Sequence, residues 1–490
     1  MTRPLPRILS PAQIDWLDEG TPASAQFGDV YYQPAHGLAE SRFVFLEGVE
    51  AEKRWAAQPT ATTRLLEIGT GTGLNLLVTI AAWLRSAAFD SGAGRLDAHS
   101  VEGFPLRHED LKRALRPLLQ GTDPELRDWS ARLLSTWPPP LAGPHRLPID
   151  PTGRISVTLW FGPAEFLLPE IPLQKWADFV YLDGFAPDRN PEMWSDAVVA
   201  ELARLTAPGG RLATFTAAGH VRRRLQAAGF QVERRPGFGR KRERLVAWRP
   251  QEAKSLPDPS DRPPPLRQAA PSTAGPIHVV GAGIAGVSVA SALVRRGCSV
   301  TLFERGATLA TGASGNWRGA MMPRPTIEPT VASTLHHLAL QRWLATFSFD
   351  DRLATEVGWK PSGAVALPRT EREASRHRRL LTSDALPSAW CSAIDESWLL
   401  ESRVGRSIDH RDFWPALFFP LAGSLDPRRL CQASLNSNVD LRLQTNYAAS
   451  EPSDGATQPA TVIWAAGPSS PHSGVEGDRK STRLNSSHVC

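Results

Sequence analysis

Two glycine-rich segments, each directly after a short apolar run, constrain this chain of 490 residues more than any other feature. The first segment spans residues 65–73 (LLEIGTGTG) and the second spans residues 279–286 (VVGAGIAG). In both, an apolar run of strand length precedes glycines that allow a tight turn, and an apolar segment with helical spacing follows. The sequence therefore predicts two separate strand–loop–helix units that each bind a nucleotide cofactor.

Strands and helices alternate around the first segment, which favours a parallel, doubly wound α/β sheet. The predicted strands are 64–68, 97–102, 155–161, 178–182, 211–216, 230–233 and 244–248, and the predicted helices are 74–85, 107–119 and 221–228. The last two strands form a closing antiparallel hairpin, which resembles class I methyltransferases.

The first glycine-rich segment indicates a site for S-adenosylmethionine. Gly69, Gly71 and Gly73 let the backbone pass close to a ligand, and Glu67 lies within the motif as an acid often does in such sites. Glu102 ends the second strand, where a partner for the ribose is needed. The alternative is that these glycines only pack a strand against a helix.

Asp183 is the candidate catalytic residue. It follows the fourth strand in the segment LDGFAPDRNPEMW, residues 182–194. Ligands bind beyond the carboxyl ends of strands in an open parallel sheet, so Asp183 is expected to face the methyl donor. There it would orient an amine and accept its proton. The alternative is that Asp183 only caps a helix or a turn.

The second glycine-rich segment predicts a dinucleotide site. Gly281, Gly283 and Gly286 form a GxGxxG motif between a strand and a helix, and Glu304 follows about 20 residues later, where an acid binds the adenosine ribose. This motif alone does not separate FAD from NAD.

A third glycine-rich loop, residues 312–323, favours FAD. Its Ser314, Gly315 and Asn316 resemble the FAD-contacting segment of glycine oxidase-like flavoproteins.

The composition bears on whether the chain binds metal ions, membranes or polyanions. Four cysteines without a CxxC pair predict no zinc site and no disulfide framework, and no metal is expected. No apolar stretch reaches membrane-spanning length, so a cytoplasmic protein without a membrane partner is expected. Clusters of arginine and lysine at 222–224, 234–235 and 240–244 could contact a polyanion, although such runs are usually solvated.

Four segments together resemble the MnmC family of bifunctional tRNA 5-methylaminomethyl-2-thiouridine biosynthesis proteins. They are FGDVYY at 27–32, GLAESRFVFL at 37–46, the segment 182–194, and GFGRKRE at 237–243. The resemblance implies a methyltransferase domain at 1–249, a Pro-rich linker at 250–276 and a glycine oxidase-like, FAD-dependent oxidoreductase domain at 277–476.

The same resemblance implies a function on the wobble uridine of tRNA. The FAD half would remove the carboxymethyl group from 5-carboxymethylaminomethyl-(2-thio)uridine, and the S-adenosylmethionine half would methylate the resulting 5-aminomethyl-(2-thio)uridine. Two alternatives stay open: a fusion of the same two activities that acts on small amines, and a methyltransferase whose oxidase half is inactive.

The last residues, 477–490, have no apolar periodicity and resemble a translated sequencing adapter more than the end of a domain. The sequence therefore predicts a non-native tail and an incomplete oxidoreductase domain. It makes no prediction of the oligomeric state.

Overall fold

The computed structural model describes residues 7–251, except 18, 19, 34 and 240, and residues 276–467, except 329, 384, 385, 388, 395–413, 415 and 448–460. The predicted linker, apart from 250, 251 and 276, and the whole predicted tail at 477–490 lie outside the described residues. The chain divides into a first compact unit, Met1–Leu266 with Glu328–Phe349, and a second, Arg267–Ile327 with Asp350–Cys490.

The first unit contains eleven of the described strands and eleven of the described α-helices. Its strands are β1 (Ile14–Trp16), β2 (Pro22–Ser24), β3 (Asp29–Val30), β4 (Thr62–Ile68), β5 (Arg95–Glu102), β6 (Gly143–Leu147), β7 (Ile155–Phe161), β8 (Ala177–Leu182), β9 (Thr206–Thr214), β10 (Gln231–Pro236) and β11 (Glu243–Trp248). Its α-helices are α1 (Gly37–Ser41), α2 (Ala51–Ala57), α3 (Leu74–Leu84), α4 (Ala87–Asp90), α5 (His108–Ala114), α6 (Arg116–Leu119), α7 (Pro124–Thr136), α8 (Ala164–Leu167), α9 (Asp196–Leu205), α10 (Gly219–Ala227) and α12 (Val331–Phe349). Short 3-10 helices at Leu168–Glu170 and Pro191–Trp194 and a π-helix at Arg42–Leu46 complete it.

One eight-stranded sheet organises this unit, in the order β10-β11-β9-β8-β4-β5-β7-β6. The strands β7, β5, β4, β8 and β9 are parallel, whereas β11 runs antiparallel to both β9 and β10. This arrangement confirms the predicted class I methyltransferase fold with its closing hairpin. One more antiparallel strand, β6, is added beside β7.

Helices cover both faces of the sheet because its central strands are apolar on both sides. The core on one face includes Leu65 of β4 and buried residues of α3 and α7, and the core on the other includes Leu66 of β4 and buried residues of α9. Successive residues of a strand point to opposite faces, so Leu65 and Leu66 belong to different cores. The edge of the sheet where the parallel strands end is left for a ligand.

Several parts of the first unit differ from the sequence-based expectation. The predicted helix at 107–119 is two helices, α5 and α6, because Pro117 lies in the first turn of α6 and lacks the N–H that a continuous helix needs. The predicted strand at 211–216 begins earlier, at Thr206, and ends at Thr214. Helix α7 and strand β6 were not predicted at all.

Helix α12 joins the first unit although its sequence lies between segments of the second. It contacts α7 and β6, and Arg342 donates a hydrogen bond to the carbonyl oxygen of Arg146 over 3.0 Å. Its position in the chain gave no sign of this packing.

The second unit contains the remaining described elements. Its strands are β12 (Ile277–Val280), β13 (Val300–Phe303), β14 (Gly319–Met321), β15 (Ala364–Ala366), β16 (Ser392–Ile394), β17 (Ala416–Phe419), β18 (Gly423–Leu425), β19 (Asp440–Arg442) and β20 (Thr461–Trp464). Its helices are α11 (Ile284–Arg295), α13 (Asp351–Glu356), α14 (Glu371–Leu381), α15 (Pro427–Ser434) and a 3-10 turn at Ala313–Gly315.

A four-stranded parallel sheet in the order β19-β13-β12-β20 carries the second glycine-rich segment. The pair β14-β18 and the three strands β15-β17-β16 form two small antiparallel sheets. The parallel sheet with α11 agrees with the predicted FAD-type dinucleotide fold.

Among the described helices, none combines the length and the apolar character that a membrane span requires.

We expect the two-sided core of the first unit to dominate its stability. Leu202 is completely buried on α9, so Leu202→Ala should lower the free energy of unfolding by about 2–5 kcal/mol, through lost burial and a cavity. The matched change at an exposed leucine, Leu17→Ala, should alter it by less than about 0.5 kcal/mol. Urea unfolding followed by tryptophan fluorescence measures both, and equal effects would contradict this description of the core.

Candidate functional site

A cavity of about 1060 Å³ lies in the first unit at the carboxyl ends of β4, β5 and β8. Its walls come from the first glycine-rich loop, the end of β5, the segment after β8, and the N-terminal region between β2 and the π-helix. The cavity is large enough for a nucleoside-sized ligand together with a second reactant.

The first glycine-rich loop packs directly against the backbone of Asp183. Gly69 has φ of +95°, and a Cβ atom at this position would lie 1.7 Å from the carbonyl oxygen of Asp183. Gly71 and Gly73 also have positive φ, and Gly73 caps α3. The loop therefore needs glycine both for its conformation and for the close approach of β4 to the chain after β8.

Glu102 fits the predicted role of an acid beside the ribose. One of its carboxylate oxygens accepts a hydrogen bond from the N–H of Gly71, and the other accepts one from the N–H of Phe104, each over 2.8 Å. Burial raises the pKa of Glu102. The carboxylate lies on the cavity wall next to the glycine-rich loop, where it can accept hydrogen bonds from sugar hydroxyls.

Glu67 lies beneath the glycine-rich loop and is not part of the cavity wall. It is completely buried and accepts a hydrogen bond from Ser100, whose hydroxyl lies 2.6 Å from that of Thr70 in the loop. Burial raises the pKa of Glu67 to about 8. The structure places Glu67 as a support of the loop, and its predicted contact with the cofactor stays a prediction.

Asp183 lies on the cavity wall, as its position after β8 predicts. The side-chain amide of Asn75, near the start of α3, donates a hydrogen bond to Oδ2 of Asp183 over 2.7 Å. Burial raises the pKa of Asp183 to about 7, although the Asn75 hydrogen bond and the positive charge of Lys241 act in the opposite direction. A carboxylate with this pKa can accept and release a proton near neutral pH.

Aromatic side chains form the part of the cavity beside Asp183. Phe27 stacks on Phe185 with ring centroids 5.0 Å apart, and Phe104 meets the edge of Phe27 at 5.7 Å. Tyr31 lies against Phe185 at 5.1 Å. Flat apolar walls of this kind suit a planar base.

The segment at 27–30 is joined to the loop after Asp183. The carboxylate of Asp29 accepts a hydrogen bond from the N–H of Ala186 over 2.9 Å, and Arg189 donates to the carbonyl oxygen of Gly28. Two motifs that are more than 150 residues apart in the sequence therefore build one wall of the same cavity.

Asn75 and Glu165 line the cavity although the sequence did not predict them, and Lys241 was predicted only as a member of a basic cluster that could contact a polyanion. Glu165 lies on α8, shortly after β7, where the sequence Phe161-Gly162-Pro163 had offered no acid for an adenine contact. Lys241 forms an ion pair with Glu40 over 2.9 Å. A polar residue that interrupts the apolar start of α3 was the only sequence signal for Asn75.

Most of the basic residues near the closing hairpin already have partners. Arg234 pairs with Glu243 over 3.3 Å, and Arg235 pairs with Glu233 over 3.0 Å. Arg244 is buried and donates to the carbonyl oxygen of Val44. In the predicted cluster 240–244, Arg240 lies outside the described residues, and among the described members only Lys241 lines the cavity.

The second glycine-rich segment is also shaped by close backbone contacts. A Cβ atom on Gly281 would lie 2.7 Å from the carbonyl oxygen of Ala465, and one on Gly286 would lie 1.8 Å from that of Gly281. The Glu304 carboxylate accepts hydrogen bonds over 2.8 Å from the N–H groups of Ala282 and Gly306. This arrangement fits a dinucleotide whose ribose lies at Glu304 and whose phosphates lie at the start of α11.

The third glycine-rich loop lies beside the second. The hydroxyl of Ser314 accepts a hydrogen bond from the N–H of Ile284, the first residue of α11, over 3.1 Å, and a Cβ atom on Gly283 would lie 3.1 Å from the same hydroxyl. Gly315 donates to Gly312, and the side chain of Asn316 is exposed. The structure thus brings Ser314 to the start of α11, whereas the side chain of Asn316 makes no hydrogen bond there among the described residues.

No group of three or more His, Cys, Asp or Glu side chains is arranged to hold a metal ion within the described part of the chain.

We expect Gly69→Ala to weaken S-adenosylmethionine binding at least roughly tenfold, because the new methyl group would force Asp183 and the loop apart. Gly92→Ala is the matched control, since Gly92 also has positive φ (+72°) but has nothing within 4 Å of the added Cβ. Isothermal titration of both variants measures the effect. Equal affinity of the two variants would contradict the close packing of the loop.

Comparisons with known proteins agree with this geometry. The family model of S-adenosyl-L-methionine-dependent methyltransferases matches residues 124–250, and that of FAD dependent oxidoreductases matches residues 277–487. The chain thus carries a domain of each family, and these domains imply S-adenosylmethionine and FAD as cofactors.

Two relatives that match most of this chain share one name, tRNA 5-methylaminomethyl-2-thiouridine biosynthesis bifunctional protein MnmC. The protein from Magnetococcus marinus is 38% identical over 89% of this chain and 62% of its own length. The one from Marinobacter nauticus is 36% identical over 98% of this chain and 73% of its own length. The solved structure of MNMC2 from Aquifex aeolicus is 23% identical, covers 51% of this chain and 73% of that chain, and has a TM-score of 0.38.

The chain therefore spans about three fifths to three quarters of the length of these two relatives. The similarity runs through both glycine-rich sites and the segment that joins them. Together with the match to both domain families, it shows that the chain belongs to the MnmC family of bifunctional tRNA 5-methylaminomethyl-2-thiouridine biosynthesis proteins.

Proposed function

We propose that the chain modifies the wobble uridine of tRNA in two steps. The second unit removes the carboxymethyl group from 5-carboxymethylaminomethyl-(2-thio)uridine, and the first unit methylates the resulting 5-aminomethyl-(2-thio)uridine. The observation that carries this proposal is a carboxylate, Asp183, that faces a large aromatic-walled cavity directly beside a glycine-rich nucleotide loop. The shared name of the relatives supports tRNA as the substrate.

In the first unit, S-adenosylmethionine supplies the methyl group. Gly69, Gly71 and Glu102 would hold its nucleoside and amino acid parts against the ends of β4 and β5. Asp183 would attract the ammonium form of the acceptor and then take its proton, so that the amine nitrogen has a free lone pair. As the nitrogen–carbon bond forms, the carbon–sulfur bond breaks, and Asp183 later releases its proton to water.

The aromatic wall would hold the acceptor base. Phe27 and Phe185 present flat faces beside Asp183, and stacking can hold a base that has been turned out of the anticodon loop. Holding the amine and the methyl donor in one cavity supplies much of the rate, because it makes the reaction effectively intramolecular.

In the second unit, FAD supplies an acceptor for the two electrons that are released when the carbon–nitrogen bond of the secondary amine is oxidised. Glu304 would hold the adenosine ribose, and the glycines at 281, 283 and 286 would leave room for the phosphates at the start of α11. Ser314 and Gly315 would contact the cofactor from the adjoining loop. Hydrolysis then releases the two-carbon fragment from the uridine substituent.

A tRNA substrate also indicates the partner surface and the compartment. Lys241 on the cavity wall would be available for a phosphate once its ion pair with Glu40 opens. A reaction on tRNA would take place in the cytoplasm. The alternative of small-amine substrates is not favoured, because the relatives that match most of this chain are named for tRNA modification.

We expect Asp183→Asn to lower methyl transfer to aminomethyl-uridine tRNA by roughly 100- to 10,000-fold, because the amine loses its proton acceptor. S-adenosylmethionine binding should remain. In the wild type, the rate should rise with pH through about 7, since burial raises the pKa of Asp183 to about 7 and only its ionised form accepts a proton. Mass spectrometry of the wobble nucleoside measures the product.

Asp128→Asn is the matched control for this experiment, because Asp128 is exposed and pairs with Arg132 on the same helix. Full methyl transfer by Asp183→Asn would contradict the role of Asp183. A wild-type chain that methylates small amines but not tRNA would contradict the proposed substrate.

We expect Glu304→Ala to weaken FAD binding at least roughly tenfold, because it removes a ribose partner and two hydrogen bonds that shape the loop. The flavin absorbance of the purified chain and a titration with FAD measure this. Glu371→Ala, an exposed change at the start of α14, is the control. A wild-type chain that binds no FAD would favour the alternative of an inactive oxidase half.

A further inference from the structure

Asn75 lies between two parts of the candidate site that carry different reactants. It is the second residue of α3, the helix that begins directly after the S-adenosylmethionine loop, and it is buried. Its Nδ2 donates a hydrogen bond to Oδ2 of Asp183 over 2.7 Å, and its Oδ1 lies 2.6 Å from the hydroxyl of Ser41. These three side chains form one continuous chain of hydrogen bonds.

The chemistry of these side chains determines which group donates and which accepts in each hydrogen bond. An ionised carboxylate can only accept hydrogen bonds, so the amide must turn its NH₂ group to Asp183 and its oxygen to Ser41. The Ser41 hydroxyl must then donate. Ser41 is the last residue of α1 and is 4% exposed, so packing holds its hydroxyl in place. The orientation of Asn75 is therefore fixed from both ends.

Within the described part of the chain, the other hydrogen bonds of Asp183 run through its backbone. Its N–H donates to the carbonyl oxygen of Ile68 over 2.9 Å, and its own carbonyl oxygen fills the space that a side chain on Gly69 would need. These contacts fix the main chain and not the carboxylate. The hydrogen bond from Asn75 restrains the carboxylate.

We propose that Asn75, held by Ser41, is a positioning residue for methyl transfer: it binds Oδ2 of Asp183 and leaves Oδ1 for the acceptor amine. This inference rests on the proposed methylation of an aminomethyl group. Because Asn75 belongs to the helix that starts at the methyl-donor loop, it fixes the carboxylate that binds the acceptor relative to the donor. A misplacement of about 1 Å can cost roughly 100-fold in rate.

The groups around Asp183 determine the direction in which loss of Asn75 would shift the pKa of Asp183. Burial raises the pKa of Asp183, the Asn75 hydrogen bond and Lys241 lower it, and Glu40 and Asp29 raise it. Glu67 also faces this site, since the charge of Asp183 raises its pKa and the Asn75 amide lowers it. Loss of Asn75 should therefore raise the pKa of Asp183 further and leave less of the active, ionised form at neutral pH.

The test compares variants of the full chain on tRNA that carries 5-aminomethyl-uridine. We expect Asn75→Ala to lower kcat roughly 10- to 100-fold at pH 7, to change the KM for tRNA and the Kd for S-adenosylmethionine less than about threefold, and to move the rising limb of the pH profile to higher pH. Ser41→Ala should shift both in the same direction but less, because it removes only the group that orients Asn75.

Thr79→Val is the matched control, since Thr79 lies about one turn further along α3 and bonds to the carbonyl oxygen of Asn75 and the hydroxyl of Tyr181 without touching Asp183. It should retain the wild-type kcat and pH profile. If Asn75→Ala fails to fold, as shown by thermal melting, Ser41→Ala decides the question by the same two readouts.

The outcomes of this test distinguish the proposed methylation from the positioning role of Asn75. A wild-type chain that does not methylate this tRNA would overturn the proposed function. A wild-type chain that does, with an unchanged kcat and pH profile in Asn75→Ala and Ser41→Ala, would overturn only the positioning role. An equal loss at every pH with weakened S-adenosylmethionine binding would also overturn it, because that is the result of a purely structural role.

Discussion

The contact between the glycine-rich loop after β4 and the backbone of Asp183 after β8 underlies the whole candidate site. The two strands are direct neighbours in the sheet. Because Gly69 has no side chain, the loop after β4 can contact the backbone that follows β8. This contact brings the predicted methyl-donor loop next to the predicted acceptor carboxylate. The aromatic wall, the carboxylate of Glu102 and the amide of Asn75 are all arranged around it.

Much of this site could be predicted because parallel strands end at a common edge. Gly69, Glu102 and Asp183 each follow or end a strand of the sheet, so their positions in the sequence were sufficient to place them together. The position of Glu67 could not be predicted in this way. It lies within β4 and points to the same face as Leu65, so it is covered by a helix although it belongs to the motif.

The residues that sequence reasoning missed depend on packing between elements rather than on the ends of strands. Asn75 meets Asp183 because α3 packs against the sheet. Lys241 was predicted only as part of a basic cluster, and its place on the cavity wall depends on the hairpin of β10 and β11. The basic clusters that the sequence predicted as a possible polyanion contact include one buried member. Arg244 is buried and supports the backbone of the π-helix, so its charge is not displayed to a partner.

The packing of α12 has a consequence for the order in which the chain is made. The first unit includes Glu328–Phe349, whereas the stretch just before it, Arg267–Ile327, belongs to the second unit. During synthesis, the methyltransferase sheet emerges from the ribosome long before the helix that covers α7 and β6. The residues that complete the first unit are therefore synthesised only after the dinucleotide loop at 281–286, so the last helix of the first unit can pack only once part of the second unit has been made.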